Sequence, residues 1–365
     1  MINPNSDSGC CISVIVCAYN GDTTLQNCLN SLENQDLNNG DYEIIVIDDE
    51  SLDSTQVICE NWIESMKDKA PDSRYIRIKH GGLSFARNEG IRQAKGEIVS
   101  FIDDDAVASK TWLSSIVRAF QENDNYQIIG GDVRLLNDHV PFARLVYNSV
   151  FYYAMRNVNM AIGTNMSFRK SLFTHENLFH PILMRRGDET YVFGKLKSHT
   201  TPINIKNAEV YHESPESMRR WLITRYDNGY FTAQIGALNG KYINDIFMLF
   251  YRLQYLALPL IVILLFSLSK FLFASAVALY FLCLIARRYF KGSYLIKLVK
   301  VYTENRNNSK HSARWGVPSV LAIVLFGDIS NDIGYIYGML HYRRTVKMKD
   351  QNLNESAVIE RAISN

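Results

Sequence analysis

The chain has 365 residues, a formal net charge of +2 and a hydrophobic fraction of 47%. This near-neutral balance is atypical of nucleic-acid-binding proteins, which carry a strong basic excess, so we expect no nucleic-acid partner. The six cysteines include no CxxC pair, which favours free thiols in a reducing compartment over a disulfide framework. The predicted elements begin after a polar N-terminal tail, residues 1–11, which has neither the basic nor the apolar region of a signal peptide.

The N-terminal part of the chain alternates apolar runs of strand type with segments of helical spacing. Strands are predicted at Cys11 to Ala18, Tyr42 to Ile47, Tyr75 to Lys79 and Gly96 to Ile102, and helices at Thr23 to Asn34, Asp53 to Met66 and Ser84 to Ala94. This β-α-β-α order predicts an α/β domain with a mostly parallel central sheet flanked by helices, which we expect to span residues 12–240.

Polar residues follow three of the predicted strands. They are Tyr19-Asn20, Asp48-Asp49 and the run Asp103-Asp104-Asp105. Because ligands of parallel sheets bind at the carboxyl ends of the strands, we expect these clusters to converge at one edge. Neighbouring ionised carboxylates repel one another unless a cation lies between them, and hard oxygen ligands suit Mg²⁺ or Mn²⁺. Taken alone, the triple aspartate is equally compatible with an acidic turn.

The pattern is less regular further along. Tyr126 to Leu135 indicates a pair of strands, Arg144 to Ala161 is ambiguous, and Gly163 to Arg169 indicates a loop entering a strand. Arg186 to Glu189 is an acidic turn before a helix. A further helix is predicted from Met218 to Tyr230, and its arginines fit a donor site, a membrane surface or a solvated face.

Two long apolar segments follow, at about 246–268 and 269–286. Each has about the 20 residues needed to cross a bilayer, so we expect a transmembrane helical hairpin, with a buried core hairpin as the alternative. The basic residues after it place that loop, and hence the N-terminal domain, in the cytosol by the positive-inside rule. We therefore expect a multi-pass protein of the cell (inner) membrane that contacts membrane lipid.

A third apolar segment, at about 316–340, is interrupted by Asp328 and Asp332. We interpret it as a re-entrant or interfacial segment, with a complete third crossing as the alternative. Residues 241–345 thus form a membrane-associated region, and residues 346–365 a polar tail.

Six segments, in this order, carry a resemblance to a known family. They are VIVCAYN (Val14 to Asn20), IDDESLDST (Ile47 to Thr55), GGLSFARNEGI (Gly81 to Ile91), GEIVSFIDDDA (Gly96 to Ala106), GTNMSFRKSLF (Gly163 to Phe173) and RGDE (Arg186 to Glu189). The chain up to about residue 230 resembles family 2 glycosyltransferases of the GT-A fold. The resemblance implies inverting transfer of a sugar from a nucleotide-diphosphate donor, a UDP- or GDP-sugar, with Mg²⁺ or Mn²⁺.

The resemblance also implies which residues form the donor site. It puts nucleotide contacts at Ala18, Tyr19 and Asn20, base contacts at Asp49 and Asp48, and Arg87 beside the donor phosphates. The DxD-like motif maps onto Asp103 and Asp105, with Asp104 between them, and Asp105 is the expected direct metal ligand. His212 in VYHES is a further candidate metal ligand, although a lone histidine is more often structural.

The proton acceptor is expected at Asp188 or Glu189. The family's commonest order is Glu before Asp, and the order here is reversed, so both residues stay candidates. An acidic cap at a helix N-terminus is the alternative reading of this pair.

Together these features predict a glycosyltransferase that acts on a lipid-linked glycan or polysaccharide at the cytosolic membrane face. The alternatives are an enzyme that loads one sugar onto a polyprenyl phosphate and a non-catalytic subunit that binds sugar nucleotides. The sequence Met218-Arg219-Arg220-Trp221 lacks the Gln of the Gln-x-x-Arg-Trp block of processive synthases, so we expect one sugar per event. Motifs do not encode the sugar, the acceptor or the linkage.

Overall fold

The computed structural model describes residues 11–67, 71–148, 161–173, 179–196, 200–238 and 326–339. These residues fall into two compact units. The first contains the described residues up to Asp138 and those from 161 to Ser214. The second contains residues 139–148, 215–238 and 326–339.

The first unit is built on an eight-stranded sheet. Its strands are β1 (Ile12–Ala18), β2 (Tyr42–Asp48), β3 (Asp72–Arg77), β4 (Ile98–Asp103), β5 (Ala106–Ala108), β6 (Ile128–Leu135), β7 (Met166–Arg169) and β8 (Ile203–His212). The helices of the described residues are α1 (Leu25–Glu33), α2 (Thr55–Met66), α3 (Leu83–Gln93), α4 (Trp112–Glu122), α5 (Pro141–Val146), α6 (Asp188–Leu196), α7 (Met218–Leu238) and α8 (residues 326–339), and a short 3-10 helix covers Lys170–Leu172.

The strand order is β3-β2-β1-β4-β7-β6-β8-β5. Strands β1 to β4 run parallel, β7 is antiparallel to both β4 and β6, and β5 is antiparallel to β8. The predicted α/β architecture with a mostly parallel sheet flanked by helices is therefore confirmed.

The two faces of the sheet bury different helices. Alternate residues of a strand point to opposite faces, so Val14 and Val16 pack with α1, α2 and α4 while Ile15 packs with α3 and α6. Strand β2 is buried along its whole length, as its continuous apolar run predicts for the centre of a parallel sheet. Full burial of each such side chain stabilises the fold by about 1.5–3 kcal/mol.

Several elements differ from the sequence predictions. Strand β3 begins three residues before the predicted Tyr75, because its register pairs Asp72 with Glu43 of β2. The predicted strand pair of Tyr126 to Leu135 is one strand, β6, with an irregularity between Gly131 and Val133. Strands β5 and β8 and helix α4 were not predicted, and α7 continues past Tyr230 to Leu238.

In the second unit, α7 and α8 pack as a parallel pair. Contacts advance together along both helices, from Trp221 beside Gly327 to Tyr230 beside Gly338. The Ser330 hydroxyl donates to the carbonyl of Leu222 at 2.8 Å. A Cβ at Gly334 would collide with the backbone oxygen of Tyr226. Glycine is therefore required for the close approach of the two backbones.

No helix in the described part of the chain is both long and apolar enough to cross a membrane. The predicted transmembrane segments 246–268 and 269–286 lie outside the described residues, as does the polar tail 346–365. Of the third segment, only residues 326–339 are described, and they are helical.

Candidate active site

The register of the parallel strands brings the predicted acidic clusters to one edge of the sheet. Strand β1 pairs Cys17 with Asp103 of β4 and Ala18 with Asp48 of β2. The carboxyl ends of these three strands are therefore level, and the residues that follow them surround a common region.

A candidate metal centre forms where β4 ends. Antiparallel pairing of β5 with β8 sets His212 opposite Ala106, one residue after Asp105. The Nε2 atom of His212 lies 3.1 Å from Oδ1 of Asp105. One ligand atom from each of Asp103, Asp105 and His212 lies within 4.8 Å of the other two. The pairing of β5 with β8 thus brings His212, which is distant in the sequence, next to Asp103 and Asp105.

These residues fit a divalent cation. Two carboxylates supply hard oxygen ligands, which suit Mg²⁺ and Mn²⁺, and an imidazole nitrogen favours a transition metal over Mg²⁺. The Nδ1 atom of His212 lies 2.6 Å from the carbonyl oxygen of Glu213. A proton on Nδ1 satisfies that carbonyl and turns Nε2 toward the carboxylates, which is the usual support of a metal-binding histidine.

The electrostatics of the cluster indicate excess negative charge. Burial raises the pKa of Asp104 to about 8, and the charges of Asp105 and Asp103 add to this effect. Burial opposes a charge on His212, but the hydrogen bond to Asp105 and the nearby carboxylates outweigh it and raise its pKa to about 9. A divalent cation at this position would offset the repulsion among the carboxylates.

Arg87 contacts Asp103 of this centre and is only 2% exposed. Its Nη1 donates to Oδ2 of Asp188 at 2.6 Å, and its Nη2 donates to Oδ1 of Asp103 at 3.2 Å and to the carbonyl of Gly163 at 3.1 Å. The rings of Phe101 and Phe179 lie 5.7 and 5.6 Å from its Cζ atom. The predicted contact of Arg87 with the donor phosphates stays a prediction, because the guanidinium is occupied here by the protein's own acceptors.

The two candidate bases occupy the first turn of α6. Asp188 is fully buried, and its Oδ2 atom accepts a hydrogen bond from Arg87. Its Oδ1 atom has no hydrogen-bond donor among the described residues. A protonated Glu189 carboxyl could supply that donor. Burial raises the pKa of Glu189 well above its usual value, and the neighbouring Asp188 raises it further. The pair therefore separates into a carboxylate held by Arg87 and a less buried carboxyl that can exchange a proton.

The predicted nucleotide residues form a second cluster, at the ends of β1 and β2. Tyr19 is exposed and stacks on His80, with ring centroids 4.7 Å apart. The backbone N–H groups of Gly81 and Gly82 donate to Asp49 at 2.7 and 2.9 Å. The exposed Tyr19–His80 stack therefore lies beside an aspartate whose two oxygens are held by backbone.

Other predicted nucleotide residues bond within the fold. Asp48 is fully buried and accepts hydrogen bonds from Tyr75 and Arg77. Ala18 is buried in β1, and its carbonyl accepts the N–H of Asp49 at 3.0 Å. Asn20 has a positive φ of 55°, and its side-chain oxygen accepts the N–H of Leu52 at 2.8 Å. These contacts hold the loops, and direct nucleotide contacts of these residues stay predictions.

Sequence reasoning missed two residues of the site, His80 and Thr164. The Thr164 hydroxyl donates to Oδ2 of Asp103, and it reaches that position because β7 runs antiparallel to β4 with Met166 opposite Phe101. Extending that register by two residues sets Thr164 opposite Asp103. The segment Gly163 to Arg169 was predicted as a loop entering a strand, and β4 was predicted as a strand, but the pairing of the two was not predicted.

The chain is similar to known proteins. Residues 13–182 match the family described as glycosyl transferase family 2. Poly(ribitol-phosphate) beta-glucosyltransferase of Bacillus spizizenii is 27% identical over 186 residues, covering 49% of this chain and 28% of the relative. Poly(ribitol-phosphate) beta-N-acetylglucosaminyltransferase TarS of Staphylococcus aureus is 25% identical over 207 residues, covering 55% of this chain and 35% of the relative. The chain thus spans about a third or less of the length of these relatives.

The fold also resembles a solved structure. The mannosyltransferase PcManGT from Pyrobaculum calidifontis, in complex with GDP-Man and Mn²⁺, superposes with a TM-score of 0.54. Its sequence is 17% identical, and the match covers 93% of this chain and 88% of that one. At this identity the likeness concerns the fold alone.

Proposed function

We propose that the protein, whose residues 13–182 match glycosyl transferase family 2, transfers a sugar from a nucleotide-diphosphate sugar to a polymer acceptor with inversion. One observation carries the proposal. The centre formed by Asp103, Asp105 and His212 is joined through Arg87 to the carboxyl pair Asp188–Glu189. A polymeric acceptor is supported by the two relatives named above, both of which are named for a poly(ribitol-phosphate) acceptor.

Asp103, Asp105 and His212 would hold Mn²⁺ or Mg²⁺. A bound divalent ion would act as a Lewis acid that stabilises the negative charge of the leaving diphosphate. Side chains of the protein would bind the nucleotide. Tyr19, which stacks on His80, offers an exposed ring face for the base of the nucleotide. Asp49 orders the Gly81–Gly82 backbone next to His80.

The proton of the acceptor hydroxyl goes to a carboxylate. Inversion requires a single displacement and therefore a single base, which we assign to Glu189. Asp188 is committed to Arg87, with Oδ2 and Nη1 2.6 Å apart, and so orients the turn that carries Glu189. The raised pKa of about 8 makes Glu189 a stronger proton acceptor than an ordinary glutamate, at the cost of being largely protonated at neutral pH and below.

We further propose that the acceptor is lipid-linked and that the reaction takes place at the cytosolic face of the membrane. One face of the second unit supports this location. Phe326, Ile333 and Tyr337 are exposed and lie on one stripe of α8, since their spacing is i, i+7 and i+11. The Tyr337 ring packs 6.1 Å from that of Tyr230, which continues the aromatic face onto α7.

The start of α7 has exposed residues that suit an anionic membrane surface. Arg219 and Arg220 are exposed in the first turn of α7, and Ile223 follows them with 52% exposure. Tyrosines favour the interface between water and lipid, and arginines favour anionic headgroups. A membrane location would bring a lipid-linked acceptor to the protein.

Glu189→Gln tests the function. We expect the full chain with this substitution to lose about 10²- to 10⁴-fold in kcat, because the amide cannot accept the proton. Donor binding should persist, measured as the rise in melting temperature caused by UDP- or GDP-sugars with Mn²⁺. Glu97→Gln, an exposed glutamate just before β4, is the matched control and should retain full turnover.

The outcomes separate the alternatives. Full turnover by Glu189→Gln together with loss in Asp188→Asn would move the base to Asp188. Turnover that survives both substitutions would contradict a carboxylate base at α6. A full chain that binds nucleotide sugars but transfers nothing to any glycan or polyprenyl phosphate would favour the non-catalytic alternative.

A further inference from the structure

Thr164 contacts the metal centre without belonging to it. Its side chain is almost fully buried, and its hydroxyl donates to Oδ2 of Asp103. An ionised carboxylate only accepts hydrogen bonds, so the hydroxyl must be the donor. Arg87 donates to the other oxygen, Oδ1, at 3.2 Å. With a donor on each oxygen, the plane of the Asp103 carboxylate is fixed before any ligand arrives.

The loop that carries Thr164 is anchored independently of Asp103. The N–H of Asn165 donates to the carbonyl of Ile162 at 2.7 Å, which closes a tight turn. The carbonyl of Gly163 accepts a bond from Arg87 at 3.1 Å. A Cβ at Gly163 would lie 2.9 Å from Nη2 of Arg87, so this close contact depends on glycine.

Asn165 supplies the second anchor. Its side-chain nitrogen donates to the carbonyls of Ala208 at 2.9 Å and Asp132 at 3.1 Å, and its oxygen accepts from Nε1 of Trp112 at 3.0 Å. All of these partners belong to the fold and none is a candidate metal ligand. Thr164 is therefore held between two fixed residues, and its hydroxyl position is set by the fold.

We propose that Thr164 is a positioning residue of the metal centre, whose hydroxyl holds the Asp103 carboxylate in the orientation that binds the cation. The proposal rests on the proposed metal site. Metal ligands are oriented by the hydrogen bonds made to them, and loss of such a partner typically weakens metal binding by about 10- to 100-fold. Without the hydroxyl, Asp103 must be ordered at the moment of binding, and the affinity falls accordingly.

The test is a titration of the full chain with Mn²⁺ in the absence of sugar donor and acceptor. Binding is monitored by the electron paramagnetic resonance signal of free Mn²⁺. Thr164→Val keeps the shape and removes the donor, and we expect its Kd to rise at least about 10-fold. Thr164→Ser restores the hydroxyl and should lie within about 3-fold of the unsubstituted chain.

Ser167→Ala is the matched control. It removes a hydroxyl that is equally buried and bonded, to Ser100 at 2.7 Å, but does not contact Asp103. We expect its Mn²⁺ affinity to be unchanged. A purely structural role of Thr164 would lower the melting temperature equally with and without Mn²⁺, whereas a positioning role reduces the increase that Mn²⁺ produces.

Two failures are distinguishable. If Thr164→Val binds Mn²⁺ as tightly as the unsubstituted chain, the role of Thr164 is overturned while the metal site stands. If the unsubstituted chain and Asp105→Ala bind Mn²⁺ equally, the metal site itself is overturned. Should Thr164→Val not fold, Thr164→Ala compared with Thr164→Ser gives the same contrast without added volume.

Discussion

Single residues connect the two halves of the site, and Arg87 is the clearest case. It donates to Asp188 on one side and to Asp103 on the other. Burial opposes its charge, but Asp188 and Asp103 outweigh that effect and raise the pKa of Arg87 above its usual value. The guanidinium thus stays charged and spans two carboxylates, which an ammonium group cannot do with the same geometry.

Arg87→Lys is therefore not conservative. We expect kcat to fall by about 10²-fold or more and the free energy of unfolding to fall by about 3 kcal/mol, because one buried carboxylate loses its partner. The measurements are steady-state turnover and chemical unfolding. Arg92→Lys, on the same helix but outside the site, should change neither. Equal activity of both variants would show that Arg87 does not link the two halves.

The pH dependence belongs to Glu189. Its pKa is raised by burial and then by Asp188, so kcat/KM should increase with pH through a value well above the usual glutamate pKa of about 4.3. The sign follows because only the deprotonated form accepts the acceptor proton. In the residual activity of Asp188→Asn, this rise of kcat/KM should occur at lower pH, since a negative neighbour of Glu189 has been removed. If the rise of kcat/KM occurs at the same pH in Asp188→Asn as in the unsubstituted chain, the two carboxyls are not coupled.

The sequence predicted the carboxylates of the site better than their hydrogen-bond partners. Asp103, Asp105 and His212 were identified from short motifs, and the fold brings them together. Thr164 and His80 were missed, since each depends on a contact that no local pattern encodes. Thr164 reaches Asp103 through the pairing of β7 with β4, and His80 reaches Tyr19 across two loops.

At the scale of elements, the most deeply buried strands were the easiest to predict. Strands β1, β2 and β4 are continuous apolar runs in the centre of the sheet. Helix α4 was missed although its buried residues Trp112, Ile116 and Phe120 follow helical spacing, so a signal was present. Strand β8 was missed because its sequence, INIKNAEVYH, is polar and only partly buried, and its place in the sheet comes from tertiary pairing.

Replacing glycine by alanine should have opposite effects on stability in two helices, because their packing differs. Gly194 is exposed in α6 with nothing within 4 Å of an added Cβ, so Gly194→Ala should stabilise the first unit by about 0.5–1 kcal/mol. At Gly334 the Cβ would collide with the Tyr226 backbone, so Gly334→Ala should destabilise the second unit by about 1–3 kcal/mol. Thermal unfolding of the full chain measures both. Stabilisation by Gly334→Ala would contradict the close packing of α7 and α8.

At the scale of the whole molecule, the untested feature is the membrane anchor. The apolar segments 246–268 and 269–286 predict that the full chain stays in the membrane fraction after washing with high salt and with alkaline carbonate. A chain truncated after Asn239 should be released by high salt, because only the exposed face of α7 and its arginines would remain. Retention of the truncated chain through both washes would contradict an anchor formed by these segments.

The parallel packing of α7 with α8 has a consequence for synthesis on the ribosome. Residues 239–325 separate the two helices, so α7 is complete long before its partner exists. At about 5–20 residues per second, the delay is on the order of 5–20 s. During that time the surface around Gly229, which α8 later covers through Asn331 and Tyr335, is open to chaperones and to lipid. The second unit is therefore completed only after the chain has been translated through residue 339, whereas strands β1 to β4 can pair much earlier.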